Sequence, residues 1–286
     1  MNDIKPVLIA GYGLMGRGIA LTFARGGHPT VVLSRDPSKA ADIPEGVSVV
    51  GELPAAAPDL IIESIPEDMG LKLAFFEKIE KAYGDGPVIA SNTSGLSLQE
   101  LADPRRDPAN FLGIHYFQPA EAFPMVEVIR CAKTGGAAFE RVRAALKRNG
   151  QDTIEVNRPL NGFVINRLQH ALLHEAFYLV QEGICTARDV DNFCQFMFGP
   201  RMCATGLLEQ KDISGLNTTA AAQSGIVPTL FHNNEVSPML LDLAARGDLG
   251  AKTGKGLYDW AGRDVDALKA RAADKLRRIL AIVQEP

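Results

Sequence analysis

The stretch Gly11-Tyr12-Gly13-Leu14-Met15-Gly16 decides how the rest of the chain is read. Its glycines stand at the GxGxxG spacing: Gly11 permits a tight bend, Gly13 lets the backbone approach a pyrophosphate, and Gly16 lets the next helix pack closely on its strand. Glycine-rich turns occur widely, so the flanks carry the inference. Residues 7–10 read as an apolar strand before the turn and 15–24 as a helix after it, the setting in which this spacing binds a dinucleotide.

The same alternation continues outward. Apolar runs at 30–33, 47–50, 60–63 and 88–91 read as strands, and 72–83 (KLAFFEKIEKAY) as an amphipathic helix with Leu73, Phe76, Ile79 and Tyr83 on one face. Residues 111–117 and 125–130 read as further strands, 139–147 as a helix and 153–156 as a last strand. This is the pattern of a parallel sheet covered by helices. From Asn161 onward strand signals nearly vanish. Asn161 is placed to cap a helix over 163–181, whose stripe of Phe163, Val164, Leu168, Leu172 and Phe177 suits a core or subunit contact. A terminal amphipathic helix over 264–283 carries Leu268, Ala272, Leu276 and Leu280 on one face. The expected fold class is therefore α/β: a Rossmann dinucleotide-binding domain over 1–157, followed by an all-α domain over 158–286.

Composition bounds the answer from outside. With 286 residues, 46% of them hydrophobic, the chain is long enough to bury a real core and to divide into two domains. A net charge of −4 without a long basic run, and only 7% aromatics, argue against a nucleic-acid surface. Cys131, Cys185, Cys194 and Cys203 lack CxxC spacing or paired histidines, which argues against a disulfide framework and a zinc site and favours buried free thiols. The first residues lack signal-peptide architecture, and no apolar stretch reaches the roughly 18 residues of a membrane span, so no membrane partner and a cytoplasmic location are expected.

A dinucleotide turn invites hydride transfer, which on a carbinol needs a base to take the hydroxyl proton. Histidine suits that task because its ordinary pKa is about 6.5. His115 ends the apolar run FLGIH, where a parallel sheet presents its ligand-facing edge, and Glu127 lies within the next apolar run. A carboxylate beside the imidazole would fix its tautomer and stabilise the imidazolium. The other histidines, His28, His170, His174 and His232, read as structural or surface groups. His170 and His174 stand at i, i+4, but a metal would need a third ligand, so none is expected.

The ordered set GxGxMGxG, IIESIPED, ASNTS, HYFQP, VEVI, NGFVINR and LGAKTGKGLYDW resembles the 3-hydroxyacyl-CoA dehydrogenase family along nearly the entire chain. The resemblance implies a Rossmann domain with a helical dimerisation domain, hence a homodimer. It implies His115 as catalytic base, Glu127 as its acidic partner, and Ser94 and Asn166 as polar groups near the reacting substrate. On the cofactor side it implies Glu67, with Gly11, Gly13, Leu14, Met15 and Gly16. Bland alternatives remain for three of these: Ser94 as a helix cap, Asn166 as an ordinary helix polar residue, and Glu67 as a solvated carboxylate. The LGAKTGKGLYDW segment, 249–260, reads as structural. Dehydrogenases of carnitine, gulonate and pyridine carboxylates, which use no coenzyme A, share this superfamily.

Three departures from the family pattern bear on specificity. Ser34-Arg35 stands where the family has an aspartate, and an arginine there accommodates a 2′-phosphate, which favours NADP over NAD. Arginine also stacks on adenine, and neighbouring Asp36 complicates the assignment. The link from Ser34 to Leu60 is compact, whereas the family's acyl-CoA enzymes carry a longer helical extension there that helps bind coenzyme A. Gln118 replaces the asparagine after the catalytic histidine, and the Tyr116 phenol faces either the substrate or the core. The leading expectation is an NAD(P)-dependent oxidoreductase acting on a small hydroxy acid or hydroxymethyl carboxylate. The alternatives are an L-3-hydroxyacyl-CoA dehydrogenase and a cofactor-binding sensor or structural protein without turnover.

Overall fold

The computed structural model describes residues 6–285. Its first part is built on strands β1 (Val7–Ala10), β2 (Thr30–Leu33), β3 (Val47–Val50), β4 (Leu60–Glu63), β5 (Val88–Ser91), β6 (Phe111–His115), β7 (Met125–Arg130) and β8 (Asp152–Val156). They form one eight-stranded sheet in the order β3-β2-β1-β4-β5-β6-β7-β8. Strands β3 through β6 are parallel, the direction reverses between β6 and β7, and β8 runs parallel to β7.

Both faces of this sheet are covered, which is why its central strands run apolar up to their carboxyl ends rather than alternating. Helices α1 (Leu14–Arg25) and α4 (Gly136–Arg148) pack one face through Ile19, Phe23, Phe139 and Val142 against Val7, Ile9, Ile62 and Ile114. Helices α2 (Met69–Tyr83) and α3 (Leu98–Ala102) pack the other through Phe76, Ile79 and Leu98 against Leu8, Ile61 and Phe111. Successive strand residues thus serve opposite cores, as the two-residue period requires.

From β1 the strand order runs one way to β2 and β3 and the other way to β4, β5 and β6. The carboxyl ends of β1 and β4 flank the crevice this reversal opens, where doubly wound sheets bind their ligands.

The chain divides into two compact units, 1–167 and 168–286. The first runs past residue 157 because the segment entering helix α5 (Ile165–Gln181) is tied to β7: Val164 and Ile165 donate backbone N–H groups to Glu127. The same bonds correct the capping assignment. Asn161 does not cap this helix, which starts at Ile165 and takes its cap from a carboxylate on the sheet.

The second unit continues α5 and adds α6 (Ala187–Phe193), α7 (Gly199–Thr205), α8 (Glu209–Ser214), α9 (Leu216–Ile226), α10 (Pro238–Ala245) and α11 (Val265–Val283). Among its described residues only Ser237 is buried. Leu168, Leu172, Phe196, Leu208, Ile213 and Leu216 are exposed. The cysteine expectation is corrected accordingly: all four thiols are free, but only Cys131 is buried, and Cys203 is exposed. Among the described residues no helix is long and apolar enough to cross a membrane.

Candidate active site

The glycine turn sits at the carboxyl end of β1 and fits a dinucleotide. Gly11 adopts φ +104°, and a Cβ there would collide with the Ser64 carbonyl beyond β4. A Cβ on Gly16 would strike the Gly11 carbonyl, so the helix lies directly on its strand. A Cβ on Gly13, by contrast, would meet nothing within 4 Å, which leaves the backbone open to a diphosphate. Helix α1 has no side-chain cap and no acid in its first turn. The N–H groups of Leu14 and Met15 therefore remain available to an anion, with the helix dipole in its favour.

At the end of β2, Arg35 is exposed and forms no ion pair among the described residues. Asp36 is turned into its own 3-10 turn: it accepts the Ser38 hydroxyl at 2.5 Å and pairs with Lys39 at 3.1 Å. The Ser38 and Lys39 bonds hold its carboxyl below the usual range.

The catalytic candidates meet across β6 and β7. The antiparallel register sets His115 directly opposite Glu127, so both side chains lie on one face within reach. His115 Nδ1 lies 2.7 Å from Glu127 Oε2, and both residues are buried. Glu127 Oε1 accepts the Val164 N–H at 2.8 Å and the Ile165 N–H at 3.0 Å. A carboxylate so placed only accepts, so the His115 proton belongs on Nδ1 and Nε2 is left as the acceptor. Nε2 lies 3.2 Å from Ser94 Oγ. The rings of Phe117 and Phe163 pack on the imidazole at centroid separations of 5.4 and 5.2 Å, fixing its plane.

Ser94 is not a helix cap, since Ser97 caps α3. It is held by Glu67. Glu67 Oε1 accepts the Thr93 hydroxyl at 2.6 Å and the N–H groups of Ser94 and Gly95 at 2.9 and 2.8 Å. Its other oxygen lies 3.2 Å from Lys72 Nζ. Burial alone would raise the Glu67 pKa, but the bonds from Thr93, Gly95 and Ser94 and the Lys72 charge outweigh it and bring the value down to about 2. Glu67 is therefore neither free nor fully solvated; it clamps the loop that presents Ser94.

Behind it lies a cluster that sequence reasoning missed. Lys72 is 1% exposed and donates to fully buried Glu63 at 2.5 Å. Glu63 also accepts the Ser91 hydroxyl at 2.6 Å and the Ile65 N–H at 2.8 Å. The available signal was a carboxylate ending an apolar strand, where a charge survives burial only with partners.

Asn166, in the first turn of α5, is half-buried within two residues of the N–H groups on Glu127. Gln118 is exposed. The Tyr116 phenol faces the core, 3.3 Å from Gln151 Oε1, and burial pushes its pKa far up. The 249–260 segment folds on itself through Gly250–Lys255 and Lys255–Asp259 pairing, with Lys255 3.6 Å from Asp248. His170 is exposed and His174 packs on Phe231. Among the described residues no cluster of three metal-ligating side chains forms.

The models of two domains match. The description "3-hydroxyacyl-CoA dehydrogenase, NAD binding domain" covers residues 45–159, and "3-hydroxyacyl-CoA dehydrogenase, C-terminal domain" covers 162–260. The chain is 29% identical to the 5-formyl-3-hydroxy-2-methylpyridine 4-carboxylate 5-dehydrogenase of Mesorhizobium japonicum, covering 97% of this chain and 98% of the relative. It is 30% identical to a probable 3-hydroxybutyryl-CoA dehydrogenase of Bacillus subtilis, covering 90% and 98%. A solved 5-formyl-3-hydroxy-2-methylpyridine 4-carboxylic acid 5-dehydrogenase, described as an NAD+ dependent dismutase, superposes with a TM-score of 0.91 at 27% identity, over 98% and 99% of the two chains. A solved 3-hydroxyacyl-CoA dehydrogenase of Archaeoglobus fulgidus superposes with 0.71 at 25% identity, over 97% and 99%. A chain that one family's models match in both halves, and its solved members along nearly the whole length, belongs to that family: the 3-hydroxyacyl-CoA dehydrogenases, NAD-dependent oxidoreductases acting on CH–OH groups.

Proposed function

We propose that the protein transfers hydride between a nicotinamide dinucleotide and the hydroxy group of a small hydroxy acid or hydroxymethyl carboxylate, or the matching carbonyl. The observation that carries the substrate class is the link between β2 and β4. It holds only a 3-10 turn, Pro37–Lys39, and the four-residue strand β3, with no helix to cradle a coenzyme A. The fit supports it: the pyridine-carboxylate enzyme superposes at 0.91 and the acyl-CoA enzyme at 0.71.

A bound nicotinamide supplies the hydride acceptor or donor. His115 Nε2 takes the hydroxyl proton during oxidation and returns it during reduction. Glu127 holds the Nδ1 proton in place and stabilises the imidazolium that forms. Ser94, beside Nε2, and the Asn166 amide hold the substrate oxygen where charge develops.

Of the two nicotinamide cofactors, this reading puts NADP ahead on Arg35, an exposed guanidinium following β2 that pairs with no acid among the described residues, while Asp36 is engaged elsewhere. NAD, named for the solved relative, is the cofactor it is measured against. The exposed apolar side chains of the second unit support a homodimer. The free thiols support a reducing, cytoplasmic setting.

The test follows oxidation of NADH and NADPH in parallel, with acetoacetyl-CoA, free acetoacetate and a panel of aromatic and heteroaromatic formyl carboxylates. Turnover is expected on free acids and faster with NADPH. Turnover confined to the thioester establishes the second reading, an L-3-hydroxyacyl-CoA dehydrogenase, which the Bacillus subtilis relative's name favours. A His115→Ala protein that binds cofactor normally and keeps its turnover overturns the assignment of the base.

A further inference from the structure

The glycine turn carries two large polar side chains that its bend does not require, Tyr12 and Arg17, and both reach the same residue. The Tyr12 hydroxyl donates toward the carbonyl oxygens of Ala41 and Asp42, at 3.2 and 3.3 Å. The Arg17 guanidinium lies 3.5 Å from the Asp42 carboxylate. Asp42 holds φ +49°, a left-handed conformation that a short polar side chain tolerates. The three groups share one field: burial raises the Tyr12 pKa, Arg17 lowers it and Asp42 raises it.

Arg17 stands in the first turn of α1, its N–H bonded to the Gly13 carbonyl at 2.9 Å. It thus stands on the same helical turn as Leu14 and Met15, whose N–H groups face an incoming anion, and its long side chain can swing from Asp42 toward that end. The ion pair is weak as placed, because its side chains are 48% and 76% exposed and water screens them. A diphosphate seated on that helix end brings two negative charges and a fixed geometry, against one mobile carboxylate.

We propose that Arg17 is the cationic contact of the cofactor's diphosphate, and that Asp42 holds it beforehand as a built-in competitor that lowers cofactor affinity. This rests on the nicotinamide dinucleotide reading above. NADH and NADPH share the diphosphate and differ in the 2′-phosphate, so the pair separates the two phosphates Arg17 could meet.

Isothermal titration of the full-length protein with NADH and with NADPH tests it, with unchanged thermal unfolding as the check on each variant. Arg17→Met is expected to weaken both nucleotides about tenfold and to flatten the salt dependence of binding. Asp42→Asn, which keeps the left-handed preference, is expected to tighten both about threefold. Unchanged NADH binding in Arg17→Met, a loss confined to NADPH, or no tightening in Asp42→Asn overturns the proposal. If the unsubstituted protein binds neither nucleotide, the cofactor reading fails and the proposal falls with it; binding that is present but indifferent to Arg17 sinks the proposal alone.

Discussion

At His115 the two ring nitrogens have different neighbours, and the difference sets what substitutions do. Nδ1 faces a carboxylate that only accepts, so the ring keeps its Nε2 lone pair toward Ser94 and the substrate side. Glu127→Gln preserves the shape but offers an amide N–H toward Nδ1, which favours the tautomer that protonates Nε2. The expected result is a kcat loss of about 10²–10⁴-fold with cofactor Kd unchanged, read by steady-state kinetics beside titration. A loss confined to KM would remove the tautomer argument. Glu67 makes a pH prediction. Its folded carboxyl titrates near 2 against an ordinary value of 4.5, so the stability it contributes is complete above about pH 4.5 and is lost as pH falls from there toward 2. Tm should therefore fall more steeply with acid in the unsubstituted protein than in Glu67→Gln over that window; parallel curves count against the clamp.

At the scale of elements, much of the first unit was legible because strands buried on both faces, such as β1, β4 and β5, are written as plain apolar runs, and the valine-rich β2 and β3 toward the sheet edge read the same way. The juxtaposition of His115 and Glu127 was legible as chemistry but not as geometry, since the hairpin from β6 to β7 fixes their register and no spacing rule does. Lys72 was hidden for a different reason. It reads as the polar opening of an amphipathic helix, and only the folded chain shows α2 starting at Met69 and carrying that ammonium between Glu63 and Glu67. Lys72→Met leaves Glu63 buried without its counter-charge, and unfolding free energy should drop by about 3–5 kcal/mol, measured by urea denaturation. The α5 cap was equally illegible, because its acceptor comes from a strand far back in the sequence. Phe163, at φ +47°, makes the bend that aims the next two N–H groups at Glu127, and its buried ring rests on His115. Phe163→Ala should cost about 3–5 kcal/mol by the same measurement, and it should also lower kcat. Stability loss with kcat intact would reduce Phe163 to packing alone.

Across the whole molecule, the two units are stabilised differently. The first buries clusters on both faces of its sheet, whereas in the second Leu168 and Leu172 of α5 stand exposed with much of the other apolar surface. Light scattering is expected to give twice the 30.8 kDa chain mass, and Tm is expected to rise with protein concentration. A Leu168→Asp, Leu172→Asp protein should run at the single-chain mass; a dimer unaffected by the pair places the interface elsewhere. The short connection between β2 and β4 has a consequence in heredity. It is a surface segment at the far side of the sheet from β6 and β7, so length can be inserted or deleted there without moving His115 or Glu127. On the proposed function, substrate range and proton chemistry then descend separately within one lineage: a change of length in that connection is inherited without any change in the catalytic pair.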